Sequence, residues 1–188
     1  HDEGKFNMVP YYGDIKLNID GKTSVREGIF SKENTGKVAI NINGKNLASS
    51  RMKYFEGNAN TEILFDGISA QNVEVNGINN IKLANGSTFE PISKSEASIN
   101  NIEVPTGTVL NLISMPGTTI AGNFKGGGTL ILDKDDSLVI NGEISGDTTF
   151  KTWGGSLGLA GNLIDGKSYI TSASGNISRS EERRVGKE

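Results

Sequence analysis

Apolar and polar residues alternate along most of this chain with a period of two. Ile15, Leu17 and Ile19 enclose Lys16 and Asn18, and Val38, Ile40 and Ile42 enclose Ala39 and Asn41. The pattern returns at Ile63 and Phe65, Val73 and Val75, Ile81 and Leu83, and Ile102 and Val104. It continues through Val109 to Ile113, Thr129 to Leu132 and Leu138 to Ile140. Such alternation places one face of a strand in a core and the other in solvent. The β-branched residues that dominate these runs suit a pleated, half-buried surface. Only LASSRMKYFE, Leu47 to Glu56, has a helical look, and it lacks an apolar stripe, so the expectation there is a loop or one short turn.

The runs are punctuated by Asn-Gly and Asp-Gly pairs: Asp20-Gly21, Asn43-Gly44, Asp66-Gly67, Asn76-Gly77, Asn85-Gly86, Asn141-Gly142 and Asp165-Gly166. Gly, Asn and Asp tolerate positive φ, so each pair can turn the chain sharply. Gly44 is expected to need that conformation. Between hairpin strands these pairs would make an antiparallel β-sandwich or barrel. The spacing favours another arrangement. IKLNIDG, VAINING and EILFDG end at Gly21, Gly44 and Gly67, 23 residues apart each time. Equal spacing of a strand-turn unit predicts coils stacked in parallel register, a right-handed parallel β-solenoid. The shorter steps to Gly77 and Gly86 then mark two strands within one coil, each ending in a turn. Asn41, Asn43, Asn76, Asn79, Asn80, Asn100 and Asn101 crowd these turns; stacked amides can bond from coil to coil, and they also serve as ordinary turn residues.

The solenoid-like domain is expected over residues 11–178, after an N-terminal segment 1–10, with a possible break at 89–98, where Pro91 and a polar cluster interrupt the alternation. From GGGTLILDKDDSLVINGEISGDTTF, and from GDIKLNIDG and GKVAINING, the chain resembles the coil repeats of secreted bacterial β-helix proteins. These include large cell-surface proteins of Gram-positive gut bacteria and, more loosely, autotransporter passenger stalks. The resemblance implies an extracellular, cell-surface, adhesin-like or carbohydrate-contacting role. It transfers no catalytic residue.

Composition narrows the chemistry. Gly is 25 of 188 residues, about twice its ordinary share of ~7%. Apolar content is 35%, which suits a thin, sheet-lined core. Cys is absent, so no disulfide or thiolate metal site exists. The sole His is His1, which removes Ser-His and Cys-His nucleophile systems. GNFKGGGT lacks the order of a phosphate loop, because Lys125 precedes the glycines. The net charge of -3 argues against a nucleic-acid backbone binder. No run approaches the ~20 apolar residues of a membrane helix. Asp133, Asp135 and Asp136 could hold Ca²⁺ through carboxylate oxygens, or simply form a strand turn; Leu138 stands where an EF-hand loop needs Gly. Some β-helix proteins are polysaccharide lyases, and Lys134 would be the base of such a site; the expectation is nonetheless no enzyme and no obligatory cofactor. Tyr11, Tyr12, Tyr54, Trp153 and Tyr169 are the aromatics that could stack on sugar rings, with Trp153 beside Gly154 and Gly155. The alternative for Trp153 is a place in the core or at an end of the stack.

The two ends differ from the rest. The chain starts at His1 rather than Met, as a piece of a longer protein would. Read as the codons AGA TCG GAA GAG CGT CGT GTA GGG AAA GAG, RSEERRVGKE, Arg179 to Glu188, resembles the translated start of a DNA-sequencing library adapter. These residues are expected to be non-native. Removing their four basic and three acidic residues leaves 15 Lys+Arg against 19 Asp+Glu. The expected function is a structural stalk or adhesin-like segment, with a carbohydrate-binding module as alternative. Its partners would be a host or bacterial surface polysaccharide and other domains of the same chain, with no nucleic acid and no membrane insertion.

Overall fold

The structure is a computed structural model that describes residues 4–7, 12–19, 25–29, 33–44, 53–93, 97–133, 136–152, 155–161, 170–172 and 176–179. Strands are numbered in chain order. Seven form one sheet: β2 (Ile15–Ile19), β4 (Val38–Asn43), β6 (Thr61–Asp66), β8 (Asn80–Ala84), β11 (Asn101–Glu103), β14 (Phe124–Lys125) and β17 (Ile144–Ser145). Nine form a second: β1 (Gly4–Asn7), β3 (Val25–Ile29), β5 (Tyr54–Glu56), β7 (Ser69–Asn76), β9 (Thr88–Pro91), β12 (Val109–Asn111), β15 (Thr129–Leu132), β18 (Thr148–Thr152) and β20 (Ile170–Ser172). Five form a third: β10 (Ala97–Ile99), β13 (Thr118–Ile120), β16 (Ser137–Ile140), β19 (Ser156–Leu159) and β21 (Asn176–Arg179). Neighbours in each sheet come from successive turns of the chain and pair in parallel. The molecule is therefore a β-solenoid of about six turns. Parallel pairing throughout excludes the antiparallel sandwich and barrel, whose hairpin strands would run in opposite directions.

The period-two pattern becomes a set of columns running along the stack. Inside the seven-stranded sheet, Leu17, Ile40, Ile63, Ile81, Ile102, Phe124 and Ile144 lie in register. Ala70, Phe89, Leu110, Leu130 and Phe150 do the same in the nine-stranded sheet. Ile99, Ile120, Ile140 and Leu159 line the third. These residues meet in one core, where Phe65 stacks on Phe89 at 5.0 Å between ring centres. Each fully buried large side chain contributes about 1.5–3 kcal/mol, so a column gains stability with every coil added.

Coil length varies along the chain. Asn18 and Asn41 are stacked 23 residues apart, Glu62 and Asn80 only 18, Asn101 and Asn123 22, and Asn123 and Glu143 20. The early turns each contribute one described strand to the seven- and nine-stranded sheets; the third sheet starts at β10. The change is centred on β7. Its end, Glu74 to Asn76, pairs back onto β5, whereas its start, Ser69 to Gln71, pairs forward onto β9. A bulge between Gln71 and Val73, with Asn72 at φ 54°, interrupts the forward pairing, which Val73 resumes opposite Pro91. Gly77 follows β7 and Gly86 follows β8, so the short Gly spacing does mark two strands of one coil. Tyr54, Phe55 and Glu56 form a strand rather than part of a loop, because Phe55 is fully buried against Val75 in the column. Residues 45–52 lie outside the described part. So do residues 180–188 of the charged tail, while Arg179 ends β21.

At the corners the coils pass close to one another. Gly67, Gly77 and Gly86 have φ of 63°, 69° and 76°, as their turns require. Gly44 does not, which corrects the expectation from the Asn-Gly motif. Its constraint is proximity: a Cβ there would lie 2.1 Å from the carbonyl oxygen of Gly67 in the next coil. Gly142 is held in the same way, 2.0 Å from the oxygen of Gly122. At Gly67 the nearest atom is Asn85 O at 3.7 Å, ordinary contact. Asn tolerates positive φ but carries a Cβ, so it separates the two constraints. Gly67→Asn should cost at most about 1 kcal/mol, and Gly44→Asn about 1–3 kcal/mol as an overpacked contact. Urea denaturation of the two variants reads the difference; equal losses would refute the proximity argument at Gly44.

Candidate functional site

The outer face of the seven-stranded sheet carries two polar columns set by the same alternation. In the first, Lys16, Ala39, Glu62, Asn80 and Asn101 are in register. Asn123 and Glu143 continue it, since their carbonyls accept from Ile102 N and Phe124 N at 3.0 and 2.8 Å. In the second, Asn18, Asn41, Leu64, Lys82, Glu103, Lys125 and Ser145 follow one another. Amides tie the coils together. Asn41 Nδ2 donates to Asn18 Oδ1 at 3.0 Å, and Asn101 Nδ2 reaches Asn79 O at 3.3 Å. Asn101 Oδ1 accepts from Asn123 N at 2.8 Å, and Asn123 Oδ1 from Glu143 N at 3.0 Å. The asparagines expected near the turns thus include a coil-to-coil ladder.

Charge is distributed unevenly on this face. Glu62 holds Lys82 Nζ at 3.1 Å and accepts from Asn80 Nδ2 at 3.2 Å. This ion pair is about one-third exposed, and exposed pairs contribute only ~0.2–1 kcal/mol. Glu103, Lys125 and Glu143 make no ion pair within the described residues. They border a groove of about 310 Å³ with Asn80, Asn101 and Asn123. A second groove of about 330 Å³, lined by Lys37, Ala39, Asn60, Glu62 and Asn79, adjoins it at Asn80. The buried Oδ1 of Asn80 has no hydrogen-bond partner. The face therefore presents donors and acceptors of both charges in rows, over backbone already paired within the solenoid.

The residues singled out from sequence are placed less fully. Tyr12 precedes β2 and is 71% exposed. Tyr11, Trp153, Tyr169, Lys134 and Asp135 lie outside the described residues. Asp133 and Asp136 close the turn from β15 to β16: Asp133 N donates to Asp136 Oδ2, and Asp136 N to Asp133 O, both at 3.2 Å. On the nine-stranded sheet, Tyr54 Oη donates to Glu56 Oε2 at 2.8 Å. The columns on the seven-stranded face were not singled out as a site, although aligning IKLNI, VAINI, TEILF, NIKL and NIEV on their central apolar residue brings them out.

The Tyr54 phenol is held above its ordinary value of 10.0, first by burial and then by its hydrogen bond to the Glu56 carboxylate. A raised folded value means that the unfolded chain ionises first. This contribution to stability is whole below pH 10 and is lost as pH rises through the folded value. Tyr54→Phe should therefore flatten the decline in stability above pH 10, measured by urea denaturation at several pH values. The same decline in both proteins would show that the phenol is not held in this way. Comparison with known protein families, curated proteins and solved structures finds no match to this chain.

Proposed function

We propose that this chain is a structural segment of a larger bacterial cell-surface protein, a stalk or adhesin-like module that holds other domains away from the cell. The observation that carries this reading is the unbroken parallel stack with its single core. Each coil advances the rod by about 4.8 Å, the spacing of paired strands, and is held by inward apolar columns that cannot slip without burying polar groups. Length and stiffness come from few apolar residues, while the outward columns keep the surface wet. The resemblance of the coil repeats to surface β-helix proteins agrees with an extracellular position. A carbohydrate-binding module is the second reading, favoured by the exposed ring of Tyr12 and the polar grooves.

The absence of Cys allows two spin labels to be placed uniquely. Lys16→Cys and Glu143→Cys stand in one column six coil steps apart, roughly 29 Å at ~4.8 Å per step. Pulsed dipolar spectroscopy should give a single narrow distance near that value, allowing for the label arms. A broad distribution would remove the rigid-spacer reading. An antibody against residues 53–133 should label intact cells of the organism that makes the protein; labelling only after lysis would remove the surface reading.

A further inference from the structure

We propose that the outer face of the seven-stranded sheet is a binding site for an extended, uncharged oligosaccharide laid along the solenoid axis. Four coils, those of β8, β11, β14 and β17, contribute Asn80, Asn101, Glu103, Asn123, Lys125 and Glu143 to one groove. The coil step of ~4.8 Å is close to the length of one hexopyranose unit in a linear chain. Successive sugars then meet equivalent rungs, and the groove spans about three or four units, one per step.

The chemistry of the rungs selects this ligand class. Sugar hydroxyls both donate and accept. Glu103 and Glu143 accept from vicinal hydroxyls, and Lys125 donates to ring or hydroxyl oxygens. None of the three is engaged in an ion pair among the described residues. Asn80 borders both grooves. A polyanion meets the two carboxylates and a chain of net charge -3. A bound peptide would bring backbone N–H and C=O groups to a sheet face whose own backbone is already paired. It would also lack an apolar pocket for an anchoring side chain, because Ile102 and Phe124 are fully buried.

The inference rests on the surface reading only for access to glycan. A rod that binds no sugar would fail the following test and still give a single narrow spin-label distance, so the two failures are distinguishable. The test titrates the full chain with linear tetrasaccharides of glucose, mannose and N-acetylglucosamine, with heparin as the polyanion, following backbone amide NMR shifts. Saturable binding of at least one neutral tetrasaccharide is expected, with shifts at residues 80, 101–103, 123–125 and 143–145, tighter than for its disaccharide. Glu103→Ala with Lys125→Ala should weaken it at least roughly tenfold while thermal unfolding and the remaining spectrum stay those of the parent. Lys151→Ala, an exposed position on the nine-stranded sheet, should leave it unchanged, as should raising the salt from 0.15 to 0.5 M, about 8 Å to a few ångströms of screening length. No binding to any neutral sugar, binding unaffected by the groove variants, equal loss in Lys151→Ala, or preference for heparin would each overturn the proposal.

Discussion

The structure depends on one spacing. Parallel strands in a sheet lie about 4.8 Å apart, and a solenoid keeps that separation only if its corners also close to it. The corners therefore set the severest demand on the sequence. At Gly44 and Gly142 the backbone of the neighbouring coil occupies the space of a side chain. Elsewhere, side chains replace the missing corner bonds. Ser87 Oγ donates to Ala84 O and lies between two coils, accepting from Ile68 N at 3.1 Å. Asn101 and Asn123 accept backbone N–H bonds from the coil above. A corner residue either takes up no room or carries a bond across the gap.

The strands are under looser control. Within a column, Leu, Ile and Phe alternate freely, as between Ile81, Ile102, Phe124 and Ile144. Side chains of facing sheets meet directly across the thin core, as where Phe65 stacks on Phe89. The outward columns are freer still, since their side chains meet mostly solvent and one another. This freedom is what permits a face of amides, carboxylates and ammonium groups in rows without disturbing the stack. Specificity on such a rod is written on positions that the fold itself hardly constrains.

Much of the architecture was legible because stacking copies a local pattern. The equal steps to Gly21, Gly44 and Gly67 give the parallel register, and Ile15 to Ile19 and Val38 to Ile42 occupy the strands their alternation implies. Other features depend on distances between coils, which a linear text does not carry. Asn43-Gly44 reads as a positive-φ turn, like Asp66-Gly67, until the neighbouring carbonyl is seen. Tyr54 to Glu56 has too few residues for alternation to declare a strand; the burial of Phe55 does. The candidate face was hidden for a related reason: Glu103, Lys125 and Glu143 lie far apart in the chain and meet only once coils of 20–22 residues are laid in register. Tyr11, Trp153, Tyr169 and Asp135 fall outside the described residues, and of the aromatic candidates Tyr12 and Tyr54 are placed.

The split pairing of β7 bears on how the chain reaches this fold. Most native contacts join residues about twenty positions apart, so ordering can start in any coil and spread by templating the next. In the nine-stranded sheet, growth from either side passes through β7, because its end matches the earlier coils and its start the later ones. Two growing fronts that nucleate apart are brought to a common phase where β6 meets β8 and where β7 bridges β5 to β9, and a single-residue slip at the bulge of β7 would set the nine-stranded sheet out of step with the seven-stranded one.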